Sequence, residues 1–307
     1  MNSIKTTEVN NIEIEYTVKN NESYYIYNQS NNRTIVGNQE VINYLENVVN
    51  IDSSSPLFDF IEKKAKFNIL DFNILSFNLE NKTFINISSF ANITSNKIIC
   101  IIAFLLTLIF IGTPNDLNDF QINDWKHAFT SLIFMYICGF FIILFHELSH
   151  MHFYANYFHT NKNKFGFTLR YFFMLLVFIN VPFINAMDIK SQKIMVLAGI
   201  KTQIFIAGVL STLALIFPTI AGNIYFQIPF FLNIGIIMVN ILPFFKLDGF
   251  WYTSIILGVP NYMNYFKNMI TKNVKFNFFI FLIGVINTTL IILFIVWSIY
   301  RIYLFMT

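Results

Sequence analysis

The chain has 307 residues, of which 55% are hydrophobic and only 12% are charged, and its mean hydropathy is +0.56. This composition excludes an ordinary soluble enzyme and is typical of an integral membrane protein. Residues 1–95 carry 7 Lys/Arg and 11 Asp/Glu, a net charge of −4, whereas residues 96–307 carry 13 and 6, a net charge of +7. This uneven division predicts a small cytoplasmic domain, residues 1–95, followed by a transmembrane domain, residues 96–307.

The amino-terminal part shows short stretches of alternating polarity followed by helical spacing, which predicts an α+β domain. It contains no His or Cys, so we expect no active site within it. The predicted elements are strands at 12–18, 24–27 and 34–36, a helix at 38–48 that begins at an Asn38 cap, a second helix at 55–66 with Pro56 in its first turn, and strand-like alternation over 67–93.

The rest of the chain predicts an α-helical membrane protein with about five crossings. Connections rich in Lys tend to be cytoplasmic, so 158–193 and 258–276 are predicted inside, whereas the acidic connection 113–127 is predicted outside. The amino terminus is then cytoplasmic, the carboxyl terminus is exterior, and the protein is a multi-pass protein of the cell membrane. The apolar stretches lie near 98–112, 128–155, 194–217, 229–248 and 277–303.

Residues 171–183 are apolar but too short for a comfortable crossing, and Asn180 and Pro182 interrupt them. We interpret this segment as a re-entrant loop or a β-hairpin, which protein or a wet cavity must cover because lipid cannot satisfy its backbone. A sixth crossing here would place the lysines of 258–276 outside, against the charge pattern.

The chemistry of the chain is indicated by His146-Glu147-Leu148-Ser149-His150, which directly follows an apolar run. Two imidazoles and a carboxylate are costly to bury in hydrocarbon unless they are paired or bind a metal. Positions i and i+4 lie on one face of a helix, so His146 and His150 can bind one Zn²⁺ while Glu147 acts as the general base.

A catalytic zinc site needs a third protein ligand, and acidic residues are scarce in this part of the chain. From His127 onward they are Glu147, Asp188 and Asp248 only. Asp248 ends an apolar stretch that also contains Asn240 and Pro243, at the same predicted depth as the histidines. Asp248 is therefore the favoured third ligand.

Together these motifs resemble the site-2 protease family of intramembrane zinc metallopeptidases. The resemblance covers about residues 128–260, and it implies zinc ligation by His146, His150 and Asp248, general-base catalysis by Glu147, and substrate binding by Asn240. The run Leu247-Asp248-Gly249-Phe250-Trp251 and the following Val259-Pro260-Asn261 resemble members from bacterial gene clusters for modified peptides and bacteriocins. This implies a bacterial protein that cleaves a membrane-associated or transmembrane peptide during maturation or export.

Members of this kind imply partners of several sorts. They are a membrane-embedded peptide or protein substrate, membrane lipid, and an ABC exporter or a peptide-modifying enzyme; no nucleic-acid partner is expected. Residues 12–66 resemble a winged-helix-type leader-binding fold, which implies that the amino-terminal domain recognises a peptide.

Three other readings stay open at this point. One is a regulatory site-2-type protease that releases a membrane-tethered factor; another is a metal- or proton-coupled transporter that uses the same side chains; the third is an inactive scaffold. Stretch 198–203 resembles the small-Gly turn of the family's middle span, although Gln203 stands where Asn is commoner. The remaining polar residues are interpreted structurally: His127, His152 and His159 as interfacial side chains, Lys201 and Lys246 as side chains that reach the cytoplasmic surface, and Asp188 as a solvated or structural carboxylate.

Overall fold

A computed structural model of the chain describes residues 3–20, 22–62, 71–79, 88–113, 124–160, 163–170, 174–244, 246–271 and 274–306. These residues form an amino-terminal sheet domain, a second small sheet, and a helical bundle.

The amino-terminal domain is a four-stranded antiparallel sheet in the order β1-β2-β3-β4, covered by two helices. Alternate residues such as Ile14 and Ile26 face inward and are fully buried against Ile42 and Leu45, because side chains of a strand alternate between its two faces. The elements are β1 (Lys5–Val9), β2 (Ile12–Asn20), β3 (Ser23–Asn28), β4 (Arg33–Asn38), α1 (Gln39–Asn47) and α2 (Phe58–Ile61).

Most of the predicted elements of this domain occur, with three differences. The Asn38 cap is confirmed, since its side chain accepts a hydrogen bond from the Val41 amide at 3.1 Å. The predicted helix 55–66 was too long, because the described helix covers only Phe58–Ile61, and residues 63–66 lie outside the described part. Strand β1 was not predicted, and residues 90–94, predicted as strand-like, are helical.

The second sheet joins distant parts of the sequence. It has three antiparallel strands in the order β5-β6-β7: β5 (Asp71–Leu79), β6 (Asn163–Arg170) and β7 (Met174–Ile179). Strand β5 lies within the predicted domain 1–95 but pairs with β6, so residues 71–79 belong with the membrane part rather than with the first sheet. Strand β7 shows that the 171–183 segment contains a β-hairpin strand and not a crossing helix.

The bundle has three helices that are long and apolar enough to cross a membrane, within the described residues: α5 (Trp125–Phe158), α6 (Ile189–Ile216) and α8 (Ile224–Ile241). Their surfaces include many exposed large apolar side chains, which fits lipid better than water. The other helices are α3 (Phe90–Thr94), α4 (Lys97–Gly112), α7 (Pro218–Ala221), α9 (Asp248–Ile256), α10 (Tyr262–Thr271) and α11 (Phe278–Met306). A membrane protein is therefore supported, with three of the five predicted spans meeting this criterion.

The predicted span 229–248 needs a correction. Helix α8 ends at Ile241, just before Pro243, and Asp248 begins the separate helix α9. Pro243 favours this end, because the ring of a proline disfavours helical backbone in the residue before it, and Leu242 is extended. Asp248 therefore does not end a span but stands at the start of a new helix, where a negative charge is favoured.

Candidate metal centre

The centre is built where helix α5 meets the first residue of α9. His146 and His150 lie one helical turn apart on α5, with their rings edge to face and the ring centroids 4.8 Å apart. Both histidines are buried, and the side chain of Asp248 is 14% exposed. The break between α8 and α9 thus brings together residues that are about a hundred positions apart.

Three side-chain atoms converge into a nearly equilateral triangle. The Nε2 atoms of His146 and His150 lie 3.1 Å apart, and Asp248 Oδ2 lies 3.1 Å from the first and 3.4 Å from the second. Ligand atoms held about 2.0–2.1 Å from a tetrahedral ion stand roughly 3.3 Å from one another. The triangle therefore has the size of three corners of a tetrahedral metal site, with the fourth corner left for a non-protein ligand.

The protonation of His150 supports the same interpretation. Its Nδ1 lies 2.7 Å from the Met195 carbonyl oxygen, which can only accept, so Nδ1 carries a hydrogen and Nε2 is the nitrogen directed toward Asp248. Asp248 Oδ2 is buried and accepts no well-aligned hydrogen bond within the described residues. Imidazole nitrogens and a carboxylate oxygen that face each other in a buried space need a cation or a proton between them.

Glu147 lies beside this triangle and is oriented by the second sheet. Its carboxylate belongs to a group in which the candidate ligand atoms of His146, Glu147 and His150 all lie within 4.8 Å of one another. The Ile179 amide at the end of β7 donates a hydrogen bond to Glu147 Oε2 at 3.2 Å. Of the two acids, Asp248 is closer to the histidine nitrogens, and Glu147 is the one held by backbone at the edge of the centre.

Asp248 is held by contacts around the helix break. The Tyr262 hydroxyl donates to the Pro243 carbonyl, which has no helical partner after the break, and the Tyr262 ring lies 4.5 Å from that of Phe250. Gly249 allows the chain to turn back tightly, since a Cβ there would lie 2.3 Å from the Ile241 carbonyl oxygen. These contacts fix the start of α9, and with it the carboxylate.

Helix α6 packs against the part of α5 that carries the histidines. A Cβ at Gly199 would lie 2.4–2.6 Å from three atoms of the His146 imidazole, so only glycine lets the ring occupy its place. One turn further, the Thr202 hydroxyl lies 2.7 Å from both the Ser149 and the Thr94 hydroxyls. This buried chain of hydroxyls joins α3, α5 and α6 at the level of the centre.

Asn240 lies in a buried amide cluster rather than on the ligand triangle. Its Nδ2 donates to Gln203 Oε1 at 3.3 Å, and Asn233 Nδ2 donates to the Gln203 carbonyl at 2.8 Å. Gln203 Nε2 has no hydrogen-bond partner within the described residues. The cluster therefore leaves one buried donor without a partner near the end of α8.

The other polar residues differ in part from their interpretation. His152 is buried, not interfacial, with Nδ1 3.3 Å from the Ser88 hydroxyl and Nε2 3.0 Å from Asn156 Nδ2. Asp188 has a structural role as the cap of α6, since it accepts from the Ser191 amide at 3.0 Å. His159 is exposed at the end of α5, as expected for an interfacial side chain.

Sequence reasoning did not find Ile179, Met195, Tyr262 or the contact of Gly199 with His146. Ile179 and Met195 act through backbone atoms, which every residue has, so no residue type could have indicated them. Gly199 was noted as part of a small-residue stretch, but its close contact depends on how α5 and α6 pack.

Gly199→Ala should lower the affinity for added Zn²⁺ by about tenfold or more, because the methyl group displaces the His146 ring from its place. Gly235→Ala is the matched control, since its Cβ points into open space on another helix and should leave binding unchanged. Competition with a zinc chelator in detergent measures both variants. Equal affinities in the two variants would mean that Gly199 does not set the position of His146.

In comparisons with known proteins, no family model, no curated protein and no solved structure matches this chain.

Proposed function

We propose that the chain is an intramembrane zinc metalloprotease that hydrolyses peptide bonds in a membrane-associated or transmembrane peptide. The observation that carries the proposal is the triangle of His146 Nε2, His150 Nε2 and Asp248 Oδ2, with edges of 3.1–3.4 Å, beside the carboxylate of Glu147. Three protein ligands, an open fourth position and an adjacent carboxylate form the donor set of a hydrolytic metal site.

Zinc is the favoured metal because two imidazoles and one carboxylate at these separations suit a small tetrahedral ion. Calcium and magnesium prefer more oxygen ligands than this site offers. When bound, zinc supplies Lewis acidity that polarises a peptide carbonyl and makes water at the site more acidic.

Glu147 serves as the general base and then as the acid. The Ile179 amide holds Oε2 at 3.2 Å, which leaves the other carboxylate oxygen to take the proton from water and pass it to the leaving amine. The Met195 carbonyl fixes the ring of His150, so its Nε2 would stay directed at the metal position.

Strand β7 is the surface on which an unwound substrate would lie. It is an edge strand of the sheet β5-β6-β7 within the described residues. The backbone N–H of Asn180 donates to the Lys164 carbonyl on β6. The backbone N–H of Ile179 points away from β6 and donates to Glu147. Backbone groups alternate along a strand, so the free edge of β7 faces the side of Glu147, and an extended peptide paired with it would run past the centre.

Asn240 is proposed to help hold the substrate. It lies on the last turn of α8, is buried, and bonds to Gln203, whose Nε2 lacks a partner within the described residues. Such amide groups can donate to the backbone carbonyls that an unwound helix leaves without partners.

The pairing of β5 with β6 supports a fourth crossing. Paired strands must lie on the same side of the membrane, so the chain between Leu79 and Asn163 crosses it an even number of times. Helix α5 is one crossing, and α4 is the other apolar helix of this interval in the described residues, with 16 residues. We therefore propose that α4 also crosses, and that α11 provides the fifth crossing of the predicted topology.

In this topology the two sheets and the metal centre face the cytoplasm and the carboxyl terminus is exterior. Lys164, at the start of β6, and the Lys-rich connection 258–276 then lie inside, as the positive-inside rule requires. The amino-terminal domain lies on the same side in this topology, where we propose that it recognises the peptide. Maturation or export of a peptide, with an ABC exporter or a peptide-modifying enzyme as partner, is the role proposed first, and regulated release of a membrane-tethered factor is the alternative.

One observation bears on transport as a rival function. Buried polar residues continue from Gln203 to Ser211 on α6 and to Asn233 and Gln227 on α8, so a partly polar path exists. The sequence between Lys201 and Lys246 has no Asp, Glu, Lys, Arg or His, however, and proton coupling needs titratable groups along its path. Proteolysis therefore remains the better-supported function.

Purified protein in detergent should hold about one zinc per chain, because three ligands and an open position form a tight site. His146→Ala and Asp248→Ala should lose the metal, whereas His152→Ala, which removes a buried imidazole of the same helix, should keep it. Elemental analysis after gel filtration gives the stoichiometry. Retention of full activity after exhaustive chelation would overturn the metalloprotease proposal.

Glu147→Gln should keep zinc but abolish cleavage of co-expressed single-span reporter peptides, since an amide of the same size cannot take the proton. General-base catalysis contributes about a hundred- to ten-thousand-fold in rate. Zinc content of the same preparation separates this loss from misfolding. Cleavage at the parental rate would remove Glu147 as the base and favour a transport or scaffold role.

Reporter fusions should place Lys164 in the cytoplasm and Asn118 outside, as the charge pattern and the even number of crossings require. An alkaline phosphatase fusion is active outside and a green fluorescent protein fusion is fluorescent inside, so the pair reports each position twice. An exterior Lys164 would mean that the crossings have been miscounted.

A further inference from the structure

Tyr27 links the amino-terminal sheet to the membrane part. It lies on β3, is 3% exposed, and its hydroxyl accepts a hydrogen bond from Asn180 Nδ2 and donates one to Asn32 Oδ1 at 2.7 Å. Burial raises the pKa of Tyr27 above its usual range, so the phenol stays protonated and serves both partners. Asn180 lies 153 positions away in the sequence.

Asn180 directly follows the residue that binds the proposed base. The backbone N–H of Asn180 donates to the Lys164 carbonyl at 2.8 Å, at the end of the β6–β7 pairing. The backbone N–H of Ile179 donates to Glu147 Oε2 at 3.2 Å. Asn180, whose side chain binds Tyr27, is therefore the direct neighbour in sequence of Ile179, whose backbone N–H binds Glu147.

The ring of Tyr27 reaches the centre by a second set of contacts. It belongs to a buried cluster with Tyr154, Phe158, Phe183 and Met195. It packs edge to face on the Phe183 ring, with the ring centroids 6.2 Å apart. The Met195 carbonyl is the acceptor that orients His150. The packing of Tyr27 thus connects it, through Met195, with His150. Its hydrogen bond connects it, through Asn180 and Ile179, with Glu147.

A lysine strengthens this contact between the domains. Lys164 Nζ donates to the Gln29 carbonyl at 3.0 Å and to Asn32 Oδ1 at 3.2 Å, so Asn32 is shared by Lys164 and Tyr27. Partial burial at this contact lowers the pKa of the Lys164 ammonium group. The amino-terminal domain therefore contacts the start of β6 at Lys164 as well as the end of β7 at Asn180.

We propose that Tyr27 and Asn180 are positioning residues, through which the amino-terminal domain holds the end of β7 against Glu147 and so controls the activity of the metal centre. The inference rests on the proposed role of Glu147 as the base. It assigns to the amino-terminal domain a regulatory role: a peptide or protein that moves this domain relative to β7 changes the orientation of Glu147.

The contact is tested by hydrogen exchange of full-length, zinc-loaded protein in detergent, with fragmentation that resolves the amides of β7. Tyr27→Phe keeps the packed ring and removes one hydroxyl, and Asn180→Ala removes its partner. Each should speed exchange of the Ile179 amide by about two- to tenfold, the range expected for one lost hydrogen bond. Tyr24→Phe is the matched control, because the Tyr24 hydroxyl donates to Gln39 within the amino-terminal domain.

Coupling to Glu147 is tested by combining variants. Glu147→Gln retains an oxygen that can accept from Ile179, so Tyr27→Phe should still speed exchange in that background. Glu147→Ala has no acceptor, so the effect of Tyr27→Phe on the Ile179 amide should vanish. An equal effect in both backgrounds, or no effect of Tyr27→Phe in the parent, overturns the proposal.

Turnover of a cleaved single-span reporter peptide provides the second readout. Tyr27→Phe and Asn180→Ala should each lower kcat by about two- to tenfold without raising KM, and the double variant should be no slower than the slower single variant. Unchanged kcat in Tyr27→Phe also overturns the proposal. If the parent cleaves no peptide, the proposed function fails, whereas the exchange experiment still decides whether Tyr27 holds Glu147.

Discussion

The gathering of two imidazole nitrogens and a carboxylate oxygen within 3.4 Å of one another, in a buried site, is the constraint on which the structure depends. Each of these groups loses its hydrating water when it is buried. For an ionised group without a partner, the free-energy cost of this desolvation is several kcal/mol. The neighbouring elements hold these groups in place. Gly199 gives space to one ring, the Met195 carbonyl orients the other, and Tyr262 satisfies the carbonyl released before Asp248.

The residue types that carry chemistry could be predicted from the sequence, because few polar residues occur in the apolar half of the chain. His146, Glu147, His150 and Asp248 were selected by spacing and scarcity, and in the structure the two histidines and Asp248 meet. The groups that orient them could not be selected in this way. The Ile179 amide and the Met195 carbonyl are backbone atoms, and only the tertiary fold distinguishes them from the same atoms of every other residue.

The fold was predictable where one segment determines its own structure. The long apolar helices and the Asn38 cap follow from local pattern, whereas the limits of α2 and the existence of β1 depend on packing against the rest of the sheet. The pairing of β5 with β6 joins residues 71–79 to residues 163–170, and nothing in either stretch identifies its partner. Alternating polarity indicated a strand at β5. The domain boundary at residue 95 was drawn from the distribution of charge, which does not indicate that β5 pairs with β6 beyond that boundary.

The same pairing has a consequence for biosynthesis. Strand β5 leaves the ribosome before the helices α4 and α5, and its partner β6 follows 84 residues later. At about 5–20 residues per second, β5 waits roughly 4–17 s without its partner strand while α4 and α5 are synthesised. An unpaired strand that exposes apolar side chains such as Ile74 and Leu75 is prone to aggregate during such a delay. Yield in cells is therefore expected to depend on translation rate and on chaperones more than the stability of the finished fold would indicate.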